Sequence, residues 1–219
     1  MLDFWNEKGY TLTMTKKELL DCVGGLSKPS KMPCYGYSTP AQSCLTGSKL
    51  AEVANSVCFG CYALKGNYNY PVVKNALAKR LALIDTPEWA GNMATAINAV
   101  EKSGYFRWHD SGDLQSVEHL EKIVSVTKMT PTIKHWLPTR EYKIVADYRA
   151  KNGEFPSNLT VRLSAHMIDG TAPDVGLPTS TVTSSHEGAT CAAPSQGGKC
   201  LDCRACWNPE VKNVAYAKH

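Results

Sequence analysis

Regular hydrophobic spacing is confined to the middle of the chain, from about residue 71 to residue 166. Pro71-Val72-Val73 opens a segment in which Val73, Ala76, Leu77, Leu81 and Leu83 or Ile84 suit a 3.6-residue period, which predicts a helix. Thr86-Pro87-Glu88 reads as the cap, first-turn proline and acidic first turn of another. Tyr105 to His109 alternates as a strand. Ser116 to Lys128 follows as a helix with Val117, Leu120, Ile123, Val124 and Val126 on its buried face, stopped by Pro131. Thr132 to Leu137 is a second strand, Glu141 to Lys151 a helix ended by Gly153, and Leu159 to His166 a third strand. Strand-helix-strand-helix-strand with short joints predicts an α/β fold: a partial (β/α) barrel or open parallel sheet with right-handed crossovers. Three strands are too few for a complete eight-stranded barrel.

The flanks lack this regularity. Residues 1–65 form a cysteine-rich N-terminal segment in which Thr15 and Glu18 make a capping box for a short helix through Leu19, Leu20 and Val23, ended by Gly24-Gly25. Leu26 to Ser48, interrupted by Pro29, Pro33 and Pro40, reads as loop. Residues 167–219 form a second cysteine-rich segment, also read as loop. With residues 66–166 as the β/α core, the chain is one domain, 1–219, as its length suggests.

Composition changes this picture at one point. A chain of 219 residues can bury roughly 70% of its unfolded surface, so it folds without cross-links or metal. Nine cysteines are therefore surplus to folding. No apolar run is long enough for a bilayer and the N-terminus lacks a signal-peptide pattern, which predicts a cytoplasmic protein with no membrane partner. Disulfides are rare in that compartment, so clustered thiols point to metal ligation.

Cys191, Cys200, Cys203 and Cys206 form a C-x8-C-x2-C-x2-C array. Three thiolates at that tight spacing converge poorly on one tetrahedral zinc, whereas a 4Fe-4S cluster presents separate irons to successive cysteines. Cys34, Cys44, Cys58 and Cys61 form a looser C-x9-C-x13-C-x2-C array, with Cys58-Phe-Gly-Cys61 as its recognisable pair, set to open a helix through Tyr62. A second cluster, a zinc site, or one site drawing on both groups all fit. A thioredoxin-like dithiol would need a preceding strand, and none is predicted. Cys22 has no partner spacing and reads as a small apolar helix residue.

A polar set gathers at the predicted strand ends, where parallel sheets bind ligands. The first strand runs into Arg107, His109, Asp110 and Asp113, the second into Arg140, and the third carries Arg162, Ser164 and His166. Alternation places Arg107 with His109, and Arg162 with Ser164 and His166, opposite Phe106/Trp108 and Val161/Leu163/Ala165. Such a set can hold an anion through Arg and move a proton through His or Asp. Structural readings stand beside this: Asp113 as a turn residue, Ser116 as a helix cap, Arg-Asp pairs as ties.

The motifs MPCYGYSTPAQSC at Met32–Cys44, CFGCYALKG at Cys58–Gly66, RWHDSGDL at Arg107–Leu114, WLPTR at Trp136–Arg140 and the Cys200–Trp207 array together resemble the bacteriophage gene product 88 family. The resemblance spans nearly the whole chain and implies a phage-encoded protein acting in the host cytoplasm; it supplies no activity. A more distant likeness is to radical S-adenosylmethionine enzymes, which use partial barrels and an N-terminal cluster. Their C-x3-C-x2-C hallmark would need cysteine at position 54, where this chain has Ala54, and Gly60 stands where an aromatic is usual. Three-cysteine ligation leaves one iron open for S-adenosylmethionine, whereas Cys34 and Cys44 would permit full closure.

Three readings follow. The chain is an iron-sulfur protein with one or two 4Fe-4S clusters, serving electron transfer with a host redox partner or redox chemistry on a small-molecule ligand at the strand ends. Alternatively it is a degenerate radical S-adenosylmethionine-type enzyme with Arg107, His109, Asp110, Asp113 and Arg140 around its substrate. The third reading is a zinc-stabilised module that binds without catalysis. The formal charge of +4 does not indicate nucleic acid, because thiolates around two dicationic clusters would contribute about −4.

Overall fold

A computed structural model describes residues 2–5 and 11–218; the N-terminal stretch read for a targeting signal lies partly outside them. Strands β1 (Leu2–Trp5) and β2 (Thr11–Met14) pair antiparallel, and α1 (Lys16–Asp21) follows. The Thr15 capping box is present, with the Thr15 hydroxyl accepting from the Glu18 amide at 3.2 Å and Glu18 accepting from the Thr15 amide at 2.8 Å.

The body is a six-stranded sheet: β3 (Tyr35–Tyr37), β4 (Tyr105–Trp108), β5 (Lys134–Thr139), β6 (Leu159–Ser164), β7 (Thr179–Thr183) and β8 (Asn213–Ala217). Every neighbouring pair is parallel and the spatial order follows the sequence, with β3 and β8 at the two edges. Helix α2 (Leu45–Leu50), α3 (Pro71–Ile84) and α4 (Trp89–Val100) lie between β3 and β4. Helices α5 (Val117–Met129) and α6 (Tyr142–Asn152) fill the next two crossovers.

Four expectations are corrected. Leu26–Ser48 is not all loop, since it holds β3 and most of α2. Residues 167–219 are not all loop, since they hold β7 and β8; β7 is Thr-Ser-Thr-Val-Thr, a β-branched run that pairs well in a sheet although it shows no apolar period. Thr86 is not a cap, because its hydroxyl turns back to the Leu83 carbonyl at 2.8 Å, and α4 begins at Trp89 with Glu88 as its N-cap. The expected helix at Tyr62 is a single 3-10 turn, Tyr62–Leu64.

Alternation divides the sheet into two unlike faces. Phe106, Trp108, Leu137, Val161 and Leu163 join Met93, Ile97, Leu120, Ile123 and Val145 in one buried cluster, so α4, α5 and α6 cover one face. On that side His135 is buried between the Trp108 indole, which donates to Nδ1 at 3.2 Å, and the Thr130 hydroxyl, 2.8 Å from Nε2. The other face carries Arg107, Trp136, Thr160, Arg162 and Ser164, and the C-terminal segment covers it instead of helices. Trp207 donates to the Phe106 carbonyl at 2.8 Å, and Thr160 donates to the Trp207 carbonyl at 2.9 Å. The buried Arg162 guanidinium donates to the carbonyls of Thr179, Val211, Ala205 and Asn208 at 2.8 to 3.2 Å, so it organises the segment from beneath.

Both edges are also covered at their centres. Ser27 and Gly36 exchange two backbone hydrogen bonds of 2.8 Å along β3. On β8 the Ala215 carbonyl accepts from the amides of Thr190 and Cys191 at 2.9 and 3.0 Å.

Candidate metal and strand-end site

The cysteines divide by location and not by their order in the chain. Cys44, Cys58 and Cys61 share the loop between β3 and α3. A Cβ placed on Gly47 would lie 3.6 Å from both the Cys44 and Cys58 sulfurs, so glycine there leaves the space between them open. This loop is fastened over the carboxyl ends of the strands. Thr46 donates its amide and hydroxyl to Glu141, beyond β5, at 2.8 and 2.7 Å; the Val57 amide donates to the His166 carbonyl, beyond β6, at 2.9 Å. Burial first, then the fields of Asp113, Cys58 and Cys61, pushes the Cys44 thiol up to about 12. Burial also raises Cys58, while the Arg140 guanidinium pulls it down.

Cys34 does not belong to that group. It is fully buried with Met32, Trp136 and Trp207, against which Tyr105, Cys200 and Cys206 pack. Burial and Glu101 push its thiol up to about 12, with Arg107 opposing them. Cys191 and Cys203 both act on Cys200, whose amide donates to the Lys31 carbonyl at 2.8 Å. Cys206 lies 3.2 Å from the Tyr216 hydroxyl of β8. The division is therefore three cysteines at the carboxyl ends and five (Cys34, Cys191, Cys200, Cys203, Cys206) on the face opposite the helices, with Cys22 apart from both. This corrects the sequence grouping of Cys34 with Cys44, Cys58 and Cys61. Among the described residues, no three His, Cys, Asp or Glu side chains converge on a point that would suit one metal ion.

The polar residues predicted around a pocket do not act as one set. Arg107 projects from the face opposite the helices as alternation requires, pairs with Asp110 at 2.8 Å, and lies over the Trp136 ring at 4.6 Å. Asp110 also accepts from the Tyr68 hydroxyl at 3.0 Å, and its carbonyl accepts from the Tyr62 hydroxyl. His109 departs from this side. The strand ends at Trp108, and His109 adopts a left-handed φ of 55°, which breaks the alternation and turns the ring toward α5. There it meets His119 edge-on at 5.5 Å, buried, with no hydrogen-bond partner for either ring nitrogen. Burial, then His119, holds it well below the usual histidine range.

Asp113 is a tie between loops. Its carboxylate accepts from the Thr139 hydroxyl at 2.6 Å, the Leu114 amide at 2.8 Å and the Arg140 amide at 2.9 Å. Burial raises it to about 6 against those three donors. Arg140 carries the Cys58 interaction, and its Nε is buried without a partner. His166 stacks on Tyr142 at 4.3 Å with Nε2 3.2 Å from the Arg140 carbonyl, so it props Arg140. Ser164 pairs with Ser180 at 2.9 Å. Arginines thus stand beside both cysteine groups: Arg140 at Cys58, and, in the group of five, Arg107 at Cys34, Cys200 and Cys206, joined by Arg204 at Cys34 and Arg162 at Cys206.

Sequence reasoning missed Thr46, Glu141 and Tyr216. All three act across long separations, and no local spacing marks them. No helix among the described residues is long and apolar enough to cross a membrane. No curated protein and no solved structure matches the chain. The family model described as Gene product 88 matches residues 6–209, nearly the whole length, and the chain belongs to that family.

Proposed function

We propose that this protein is an iron-sulfur protein with two 4Fe-4S sites, one at the carboxyl ends of the strands held by Cys44, Cys58 and Cys61, the other held by four of Cys34, Cys191, Cys200, Cys203 and Cys206. The observation that carries the reading is the three-and-five division of thiols, each group with a half-buried arginine beside it. One zinc needs its sulfurs about 2.3 Å from a common point, whereas a cubane offers a separate iron to each thiolate and suits sulfurs that stand apart. The donor set fits such a cluster: soft sulfur ligands in desolvated surroundings, with a cation to offset thiolate charge. Cys34 and Cys44 are held as thiols by burial, so loading would release protons.

A bound cluster supplies one-electron transfer. The chain's own residues do the rest. Arg107 and Arg140 favour the thiolate forms beside them, Asp110 and the Asp113 tie hold the two arginine-bearing loops, and Tyr62 and Tyr68 close over Asp110.

A second reading is favoured by one observation. Three cysteines, not four, lie in the loop after the first strand of a sequentially ordered parallel sheet, which suits a partial barrel and leaves a position that no cysteine fills. That arrangement supports a degenerate radical S-adenosylmethionine-type enzyme, despite Ala54 and Gly60.

Anaerobic purification tests the main reading. About four iron and four sulfide per cluster, with a brown charge-transfer band, is the expected result. Cys58→Ser should lose one cluster's iron and Cys200→Ser the other's. A colourless protein with stoichiometric zinc overturns it. S-adenosylmethionine that is neither cleaved nor able to change the paramagnetic spectrum of the reduced protein rejects the second reading.

A further inference from the structure

The amino ends of the parallel strands carry a feature that the cluster sites do not use. Lys28 and Lys31 precede β3, Lys102 precedes β4 and Lys134 begins β5, so four exposed lysines stand along one edge of three adjacent parallel strands. The C-terminal segment adds Lys199 and Arg204 to the same edge, because Cys200 bonds to Lys31 and Arg204 lies over the Tyr105 ring at 5.0 Å. Among the described residues none of these six cations takes part in an ion pair. The buried Glu101 is committed to the Tyr35 and Ser103 amides, and the exposed acids of the covering segment are Glu187, Asp202 and Glu210.

A cleft of about 500 Å³ opens beside two of these cations, Lys134 and Arg204, and is lined also by Tyr105, Asn158 and Trp207. Cys203, the exposed cysteine of its group, lies one residue from Arg204 at its rim. Exposed lysines without ion-pair partners along this edge gain most from a partner that brings carboxylates, because complementary charge steers encounter and sets orientation.

We infer that this edge docks a small acidic electron-carrier protein, with acidic side chains of the carrier against Lys31, Lys102 and Lys134 and its redox centre facing Cys203. The inference rests on the iron-sulfur reading for its purpose, and on the lysines for its binding. The carrier gives one electron to the C-terminal cluster; its own centre is oxidised by one electron and the cluster is reduced by one.

Flavodoxin, a small acidic one-electron carrier, is the probe. Binding of labelled oxidised flavodoxin is followed by fluorescence anisotropy at low and high ionic strength. Cluster reduction by reduced flavodoxin and by dithionite is followed by stopped-flow bleaching. The combined variant Lys31→Glu, Lys102→Glu, Lys134→Glu should weaken binding and slow flavodoxin-driven reduction about tenfold or more, within the range of electrostatic steering. Reduction by dithionite, itself a small anion, should slow far less than reduction by flavodoxin, and added salt should lower the wild-type flavodoxin rate toward the variant's. Wild-type and variant proteins that bind flavodoxin equally overturn the inference. So does a wild type that binds a short DNA duplex through these lysines in preference to flavodoxin. A colourless protein that still binds flavodoxin through the lysines retains the docking surface and removes only the iron-sulfur reading.

Discussion

The two faces of the sheet are built by different physics. The helix face is a close-packed apolar cluster in which buried histidines are the main polar content. The opposite face is covered by a segment with little regular structure, held by one arginine under four carbonyls, two tryptophans and a group of cysteines. Burial of apolar area specifies the first without a ligand; the second depends on polar contacts and, in the proposed reading, on metal. The contrast teaches that one parallel sheet can carry a self-sufficient scaffold on one side and a conditional layer on the other.

The largest expected effect comes from the cysteines. Replacing Cys200 and Cys206 together by serine should free residues 185–218 for proteolysis while far-ultraviolet helical signal persists, whereas Cys58→Ser should leave the cover protected. Equal protease sensitivity in the two variants would erase the distinction between the faces.

Arg162→Met comes next. The carbonyls of Ala205 and Asn208 keep a backbone amide donor, whereas those of Thr179 and Val211 lose the guanidinium, and at about 1–3 kcal/mol for each group left short of a donor a loss of about 3 kcal/mol in urea unfolding is expected. On the other face Ile123→Ala should cost about 3 kcal/mol through its cavity, with metal content unchanged. An Ile123→Ala variant that loses iron would couple the two layers more tightly than described.

The smallest effect is one of slope. Burial lowers His119 and His135 to about 3. The unfolded chain takes up these protons near pH 6.5 and the native state does so only near 3, so stability is full above 6.5 and falls as pH drops from 6.5 toward 3. Each histidine contributes about 1.4 kcal/mol per pH unit in that window. His135→Gln should flatten the measured slope by about one proton, and an unchanged slope would show that the ring titrates freely.

The same contrast explains what was legible in the sequence. Helices α3, α5 and α6 and strands β4, β5 and β6 follow from 3.6 and 2 periods, because each buries one apolar stripe on the helix face. Strand β3 is a three-residue Tyr-Gly-Tyr inside proline-rich loop, too short to show alternation. Strands β7 and β8 pack beneath the irregular cover, where threonine, serine and alanine suffice, so no apolar stripe announces them. Within the site, the spacing of Cys200, Cys203 and Cys206 was readable because it is local. The transfer of Cys34 to that group was not, since it follows from the fold bringing residues 34 and 200 together. The turn of His109 away from Arg107 hung on a single left-handed residue, which alternation cannot foresee.

The hydrogen bonds that span the two outer strands bear on solubility. A bare strand edge templates pairing with other chains. At β3 the guard is Ser27, part of a loop anchored by its own backbone. At β8 it is Thr190 and Cys191, and Cys191 is one of the five thiols of the conditional layer. If the proposed clusters are bound, their loss should therefore uncover the β8 edge selectively, and the stripped protein should self-associate through that strand while the β3 edge stays closed.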